Sequence, residues 1–206
     1  MSLVTFTTLI SSRLQKLSEL FSAQRAPAGY RPGVTLEYLR RNLGLASFAS
    51  TGPACAAFRL DDTGLQVDVA ERTESQLLMH LVMTEFMLTV PATEQGSARF
   101  ELHHRGAIRR TGLACRQRSG EPALLARLEA ALNDDLSLHQ ALMGLDFKCL
   151  HIALSGHQWQ VRLEHIGGSE VVNRMPAFRR YIPLSDAQRA GLLTVLAGLQ
   201  RVLGAV

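Results

Sequence analysis

Three cysteines and seven histidines supply the residue types from which nucleophilic and metal sites are built. His104, His151 and His165 fall in strand-like stretches that also hold Cys115 and Cys149. An imidazole beside a thiol can take its proton and leave a reactive thiolate, and such groups in a cluster bind zinc. The spacing here specifies neither. The chain has no C-x-x-C, H-E-x-x-H or G-x-S-x-G, no Walker loop, and no glycine fingerprint between a strand and a helix. His104 and His165 alternate with residues that place them on the apolar side of a sheet, as core imidazoles bonded to backbone. His151 has apolar neighbours on both sides. Buried thiols behave as small hydrophobes. These five residues are the candidate catalytic set, with no metal and no cofactor expected.

Arginine is the second source of chemistry. Of the 22 basic residues only Lys16 and Lys148 are lysines. Arg105, Arg109, Arg110, Arg116 and Arg118 crowd one hairpin, and Arg174, Arg179 and Arg180 precede the last helix. A guanidinium pair on one surface grips phosphate or carboxylate bidentately. The binding candidates are therefore Arg110, Arg116, Arg118, Arg179 and Arg180, with Trp159 and the spaced methionines Met79, Met83 and Met87 as walls of a cavity between layers. No aromatics interleave with the arginines and no recognition helix accompanies them, so nucleic acid is not favoured. The net charge of +4 and pI near 9.3 suit any anionic partner and select none.

The elements that must position these residues follow from periodicity. Trp159, Val161, Leu163 and His165 alternate with Gln160, Arg162 and Glu164, the pattern of a strand with one wet face. Residues 147–154 read as a second strand, and Ser155-Gly156-His157 as the turn joining the two into a hairpin. Phe58-Arg59-Leu60 and Leu65 to Val69 make another hairpin about Asp61-Asp62-Thr63-Gly64, a turn rather than a protease signature. Residues 76–90 are apolar on nearly every side and end at Pro91; their β-branched and aromatic content predicts a long bent strand. Strands follow at 98–104 and 107–118. Ile166-Gly167-Gly168-Ser169 reads as a turn before an irregular strand holding Val171-Val172 and residues 178–182.

Helices are predicted at 8–24, from Thr35 as cap to Leu43, from Pro122 to Leu132, from Leu136 to Met143, and from Ser185 to Leu203, where Ser185 and Gln188 form a capping box. Residues 46–57, small and broken by Gly52-Pro53, read as an irregular connection.

The sequence thus predicts a single α+β domain over residues 1–206. It has an N-terminal helical layer (1–55) and a body (56–206) with an antiparallel sheet of about seven strands, helices largely on one face, and a long C-terminal helix. The body contains two strand-strand-helix halves, at 98–132 and 147–203. Unpaired cysteine spacing, the lack of a signal sequence and the lack of a membrane-length apolar run point to a soluble bacterial-type cytoplasmic protein. The first expectation for function is a non-enzymatic module that binds a protein partner or a small apolar or anionic ligand. An enzyme with a His/Cys site and a binder of nucleic acid or another anionic surface through the arginine-rich hairpin are the alternatives.

Overall fold

The structure, a computed structural model, describes residues 29–60, 63–75, 79–106, 109–174 and 177–206. The helix expected at 8–24, the two aspartates of the DDTG turn and the first residues of the 76–90 segment lie outside them. Among the described residues four helices, α1 (Val34–Leu43), α2 (Pro122–Asp134), α3 (Leu136–Gly144) and α4 (Asp186–Ala205), accompany seven strands. The strands are β1 (Ala49–Gly52), β2 (Cys55–Arg59), β3 (Gln66–Ser75), β4 (Met79–Arg105), β5 (Gly112–Ser119), β6 (Phe147–Arg174) and β7 (Ala177–Tyr181). All pair antiparallel in the order β1-β2-β3-β4-β6-β7, with β5 also on β4, and the sheet curls into a half-barrel. The α+β architecture expected from the sequence is the observed one.

The frame is a two-stranded ribbon of β4 and β6, paired from Met79↔Asn173 to Leu102↔Leu150. Residues 147–154 and 158–166 do not form a hairpin with each other, as the sequence predicts; both halves pair with β4. The inward positions of β6 change from even (Leu150, Ile152, Leu154) to odd (Trp159, Val161, Leu163) across Ser155-Gly156-His157. A turn and a bend both produce that change of phase. Gly156, at φ 61°, takes the bend. On β4, residues 92–95 between Pro91 and Gly96 have no ladder partner, so β4 follows the longer path around the corner. The corner brings the second arm of β6 back to its start, where the Ile166 N–H donates to the carbonyl of Asp146, the residue before β6, at 3.4 Å.

The segment 166–169 is likewise a bulge inside β6 rather than a turn between strands, lying between Val82↔Glu170 and Thr84↔His165. Ser169 repairs the ladder there: its hydroxyl accepts from the Thr84 N–H at 3.2 Å and donates to the His165 carbonyl at 2.8 Å. Two further expectations are corrected. Residues 49–52 and 55–57, read from the sequence as part of an irregular connection, are strand; β1 is an edge with no buried residue, so it shows no apolar alternation. Thr35 is not the cap of α1, which has Gly33 at that position, with φ 82° and the Pro53 carbonyl 2.8 Å from where a β-carbon would stand. The cap comes from β3. Glu71 accepts the N–H groups of Leu36 (3.1 Å) and Gly33 (3.0 Å) and the Tyr30 hydroxyl (2.6 Å), placing a carboxylate at the helix N-terminus.

All four helices lie on one face. Leu36 and Leu39 of α1, Leu128 and Leu132 of α2, Leu138 and Leu142 of α3, and Leu192, Leu196, Leu199 and Leu203 of α4 join Phe86, Phe100, Ile152 and Leu163 in one apolar cluster. The predicted capping box at Ser185 and Gln188 is present. Among the described residues no helix is long and apolar enough to cross a membrane.

Candidate functional site

Among the described residues the opposite face of the ribbon carries no helix. Because the two arms converge, its outward side chains gather around a recess of about 610 Å³. β3 contributes Arg72; β4 contributes Glu85, Arg99 and Glu101; β5 contributes Arg118; β6 contributes Cys149, His151, Gln160, Arg162 and Glu164. Each reaches the recess through strand alternation. Glu101 stands opposite His151, Arg99 opposite Ala153, and Glu85 opposite Glu164.

Glu85 and Glu164 are like charges directly across a ladder, an arrangement that repels. Arg72 resolves it, with Nη1 at 3.1 Å from a carboxylate oxygen of each. Arg118 is similarly committed: its Nε donates to Glu101 at 2.8 Å and holds that carboxyl below its ordinary value. Arg99 and Arg162 are different. Both are exposed and line the recess, and among the described residues neither has a carboxylate partner. Four guanidiniums against three carboxylates leave the recess with net charge +1, concentrated at Arg99 and Arg162 with the His151 imidazole also on the wall.

The residues singled out from sequence separate into three groups. Arg118, Cys149 and His151 meet in this recess. His104, His165, Cys115 and Trp159 lie on the helix side. His104 packs its ring 4.3 Å from that of Phe147 and bonds the Leu142 carbonyl at 2.9 Å. His165 is fully buried, with Nδ1 2.9 Å from the Gly167 carbonyl. Burial lowers the pKa of both imidazoles. The remaining arginines are structural or exposed. Arg110 donates to the Met143 carbonyl and pairs with Asp146. Arg179 makes a bidentate pair with Glu170, at 2.8 Å twice, and a bond to the Gly29 carbonyl. Arg116 and Arg180 are exposed, on strands at opposite edges of the β4–β6 ribbon.

Neither Cys115 nor Cys149 is prepared for nucleophilic work. Burial pushes Cys115 up to about 12, and burial followed by Glu164 raises Cys149. An activated cysteine is shifted the other way. Among the described residues no group of three His, Cys, Asp or Glu side chains gathers as a metal site. What the recess can do chemically is present two uncommitted guanidiniums and an imidazole to an anion.

Arg72, Arg99 and Arg162 were not among the residues that the sequence marked as binding candidates. The signal for Arg99 and Arg162 was nonetheless present, since 160/162/164 and 99/101 are the polar phases of alternating strands. No curated protein and no solved structure matches this chain. Residues 41–203 match the family described as "Protein of unknown function (DUF3156)", and with most of its length inside that match the chain belongs to this family.

Proposed function

We propose that the protein is a non-enzymatic binding protein whose ligand is a small multivalent anion, carboxylate or phosphate, held in the recess by Arg99 and Arg162. One observation carries the reading. In a recess where Arg72 and Arg118 are each paired with carboxylates, Arg99 and Arg162 have none. An arginine aligned by a strand loses less freedom on gripping an anion than a free side chain does, and its planar fork suits two oxygens at once. His151 adds a third donor from the neighbouring strand register, and Gln160 a neutral one. The raised Cys149 thiol supports binding over covalent catalysis.

The test is calorimetric titration of the full chain with citrate and with inorganic phosphate at low ionic strength, repeated on the Arg99→Ala/Arg162→Ala double variant. Saturable binding to the parent, weakened at least tenfold in the variant and declining with added salt, is the expected result. Equal binding by both proteins, or none by the parent, refutes the assignment.

A further inference from the structure

The strand β5 pairs with β4 and, among the described residues, with no other strand, so its second edge is open. In an antiparallel ladder alternate residues turn their N–H and C=O groups to opposite sides, and half of those on β5 therefore point away from β4. Among the described residues, the backbone of 112–119 makes no backbone hydrogen bond beyond the β4 ladder. Such an edge is a template for a further strand, and a short edge is a weak one. β1 and β7, the ends of the main strand order, have four and five residues; β5 has eight. A groove of about 300 Å³ runs beside it. One wall is Gly112 to Cys115, four consecutive residues and hence both phases of the strand, and the other is Glu129, Leu132 and Asn133 on α2. An extended peptide added to an edge gains affinity from main-chain hydrogen bonds and specificity from alternate side chains. Charge selects it here. On the open-face phase Arg118 is paired with Glu101, whereas Arg116 is exposed and, among the described residues, has no ion-pair partner. On the helix-side phase Leu113 and Cys115 join the apolar cluster, and the Glu129 carboxylate in the facing wall, also unpaired among the described residues, repels acid. A second copy of this chain offers the same cationic edge and does not fit.

We infer that the edge of β5 takes up an extended segment of another protein, alternately acidic and apolar, as a further strand of the sheet. Its acidic side chains lie on the Arg116 side and its apolar ones in the groove against α2. The site is separate from the anion recess, which neither Arg116 nor Glu129 lines.

The experiment is calorimetric titration of the full chain with the hexapeptide acetyl-Glu-Val-Glu-Val-Glu-Val-amide. Saturable binding that declines with added salt is expected, weaker by at least about tenfold for the peptide with lysine in place of glutamate. Two further peptides carry a single N-methyl group, one on the second glutamate and one on the valine that follows it. Because alternate N–H groups of an added strand face β5, one of the two loses at least about tenfold in affinity and the other binds as the unmethylated peptide does. Arg116→Glu, at an exposed position, weakens binding about tenfold, and Arg99→Ala/Arg162→Ala leaves it unchanged. No saturable binding, equal binding of the lysine peptide, the same effect from both N-methyl groups, undiminished binding by Arg116→Glu, or loss of binding in Arg99→Ala/Arg162→Ala overturns the assignment. Should Arg116→Glu fail to fold, the peptide comparisons, which need no variant, still decide it.

Discussion

Leu163 and Arg162 are neighbours on one strand, yet they belong to different environments. Leu163 is fully buried beneath the helices, in the apolar cluster that unites all four. Arg162 is exposed and faces the recess. The same division runs along the whole ribbon, Phe86 against Glu85, Phe100 against Arg99, Ile152 against His151. On the covered face a side chain is judged by how it fills space, and polar groups there are either bonded internally or orphaned. On the open face side chains are judged by charge, and two guanidiniums remain uncommitted. The comparison teaches that stability and binding are carried by alternate residues of the same strands, so each can be altered with little effect on the other.

The sharpest way to break that comparison is to truncate both members of an adjacent pair. Leu163→Ala should cost about 2–5 kcal/mol, from lost burial and the cavity left behind, read from urea unfolding midpoints. A loss under 1 kcal/mol would mean that the helix layer is not packed as described.

Glu170→Ala tests a bidentate ion pair on the covered side. Glu170 is 2% exposed, and its carboxylate serves both Arg179 and the Thr35 hydroxyl, the latter at 3.2 Å. Removing it strands a partly buried guanidinium and should destabilise by about 3 kcal/mol in the same unfolding experiment. An unchanged midpoint would show that water replaces the pair without penalty.

Acid titrates the buried imidazoles and the paired carboxylates in turn. Burial holds His165 and His104 below the ordinary value of 6.5, so the folded state favours neutral imidazoles. The unfolded chain takes up protons first as pH falls through about 6.5. Stability is therefore full above that value and declines as pH drops toward the lower folded pKa. The paired carboxylates respond later. Glu101 and Glu94, held down by Arg118 and Arg127, contribute stability above the ordinary carboxylate range and lose it as pH falls through their lowered values. Unfolding midpoints between pH 8 and 5 should fall, and His165→Asn should flatten that slope. A flat parent profile in this window would exclude a buried neutral His165.

The smallest expected effect completes the pair. Arg162→Ala should alter stability by less than about 0.5 kcal/mol while impairing anion binding. A large loss of stability would instead make Arg162 part of the framework.

Much of the fold was legible in local pattern. Strict alternation identified the strand 158–165 and its buried face, Ser185 and Gln188 announced the last helix, and the apolar run before Pro91 belonged to a bent strand. The failures have specific causes. Ser155-Gly156-His157 and Ile166 to Ser169 carry turn chemistry, but a turn and a bulge use the same residues; the choice depended on whether a partner strand continued alongside, and β4 does. β1 escaped notice because all but its last residue are exposed. Thr35 looked like a cap because nothing local revealed that Glu71, on a strand, would take that role.

The candidate site divides along the same line. Residue by residue, the chain determined which side chains are wet and which are dry, because alternation with a period of two is a property of a strand by itself. It therefore determined that Arg99 and Arg162 would carry polar chemistry outward wherever apolar neighbours pointed in, but left the direction of His151 open. Only the tertiary structure decided that they would face a common recess. That depends on the corner where residues 92–95 leave the ladder and Gly156 bends, folding two arms of a long ribbon toward one another. Proximity between residues so distant in sequence is a long-range property, fixed by strand partners and helix packing that no local window contains.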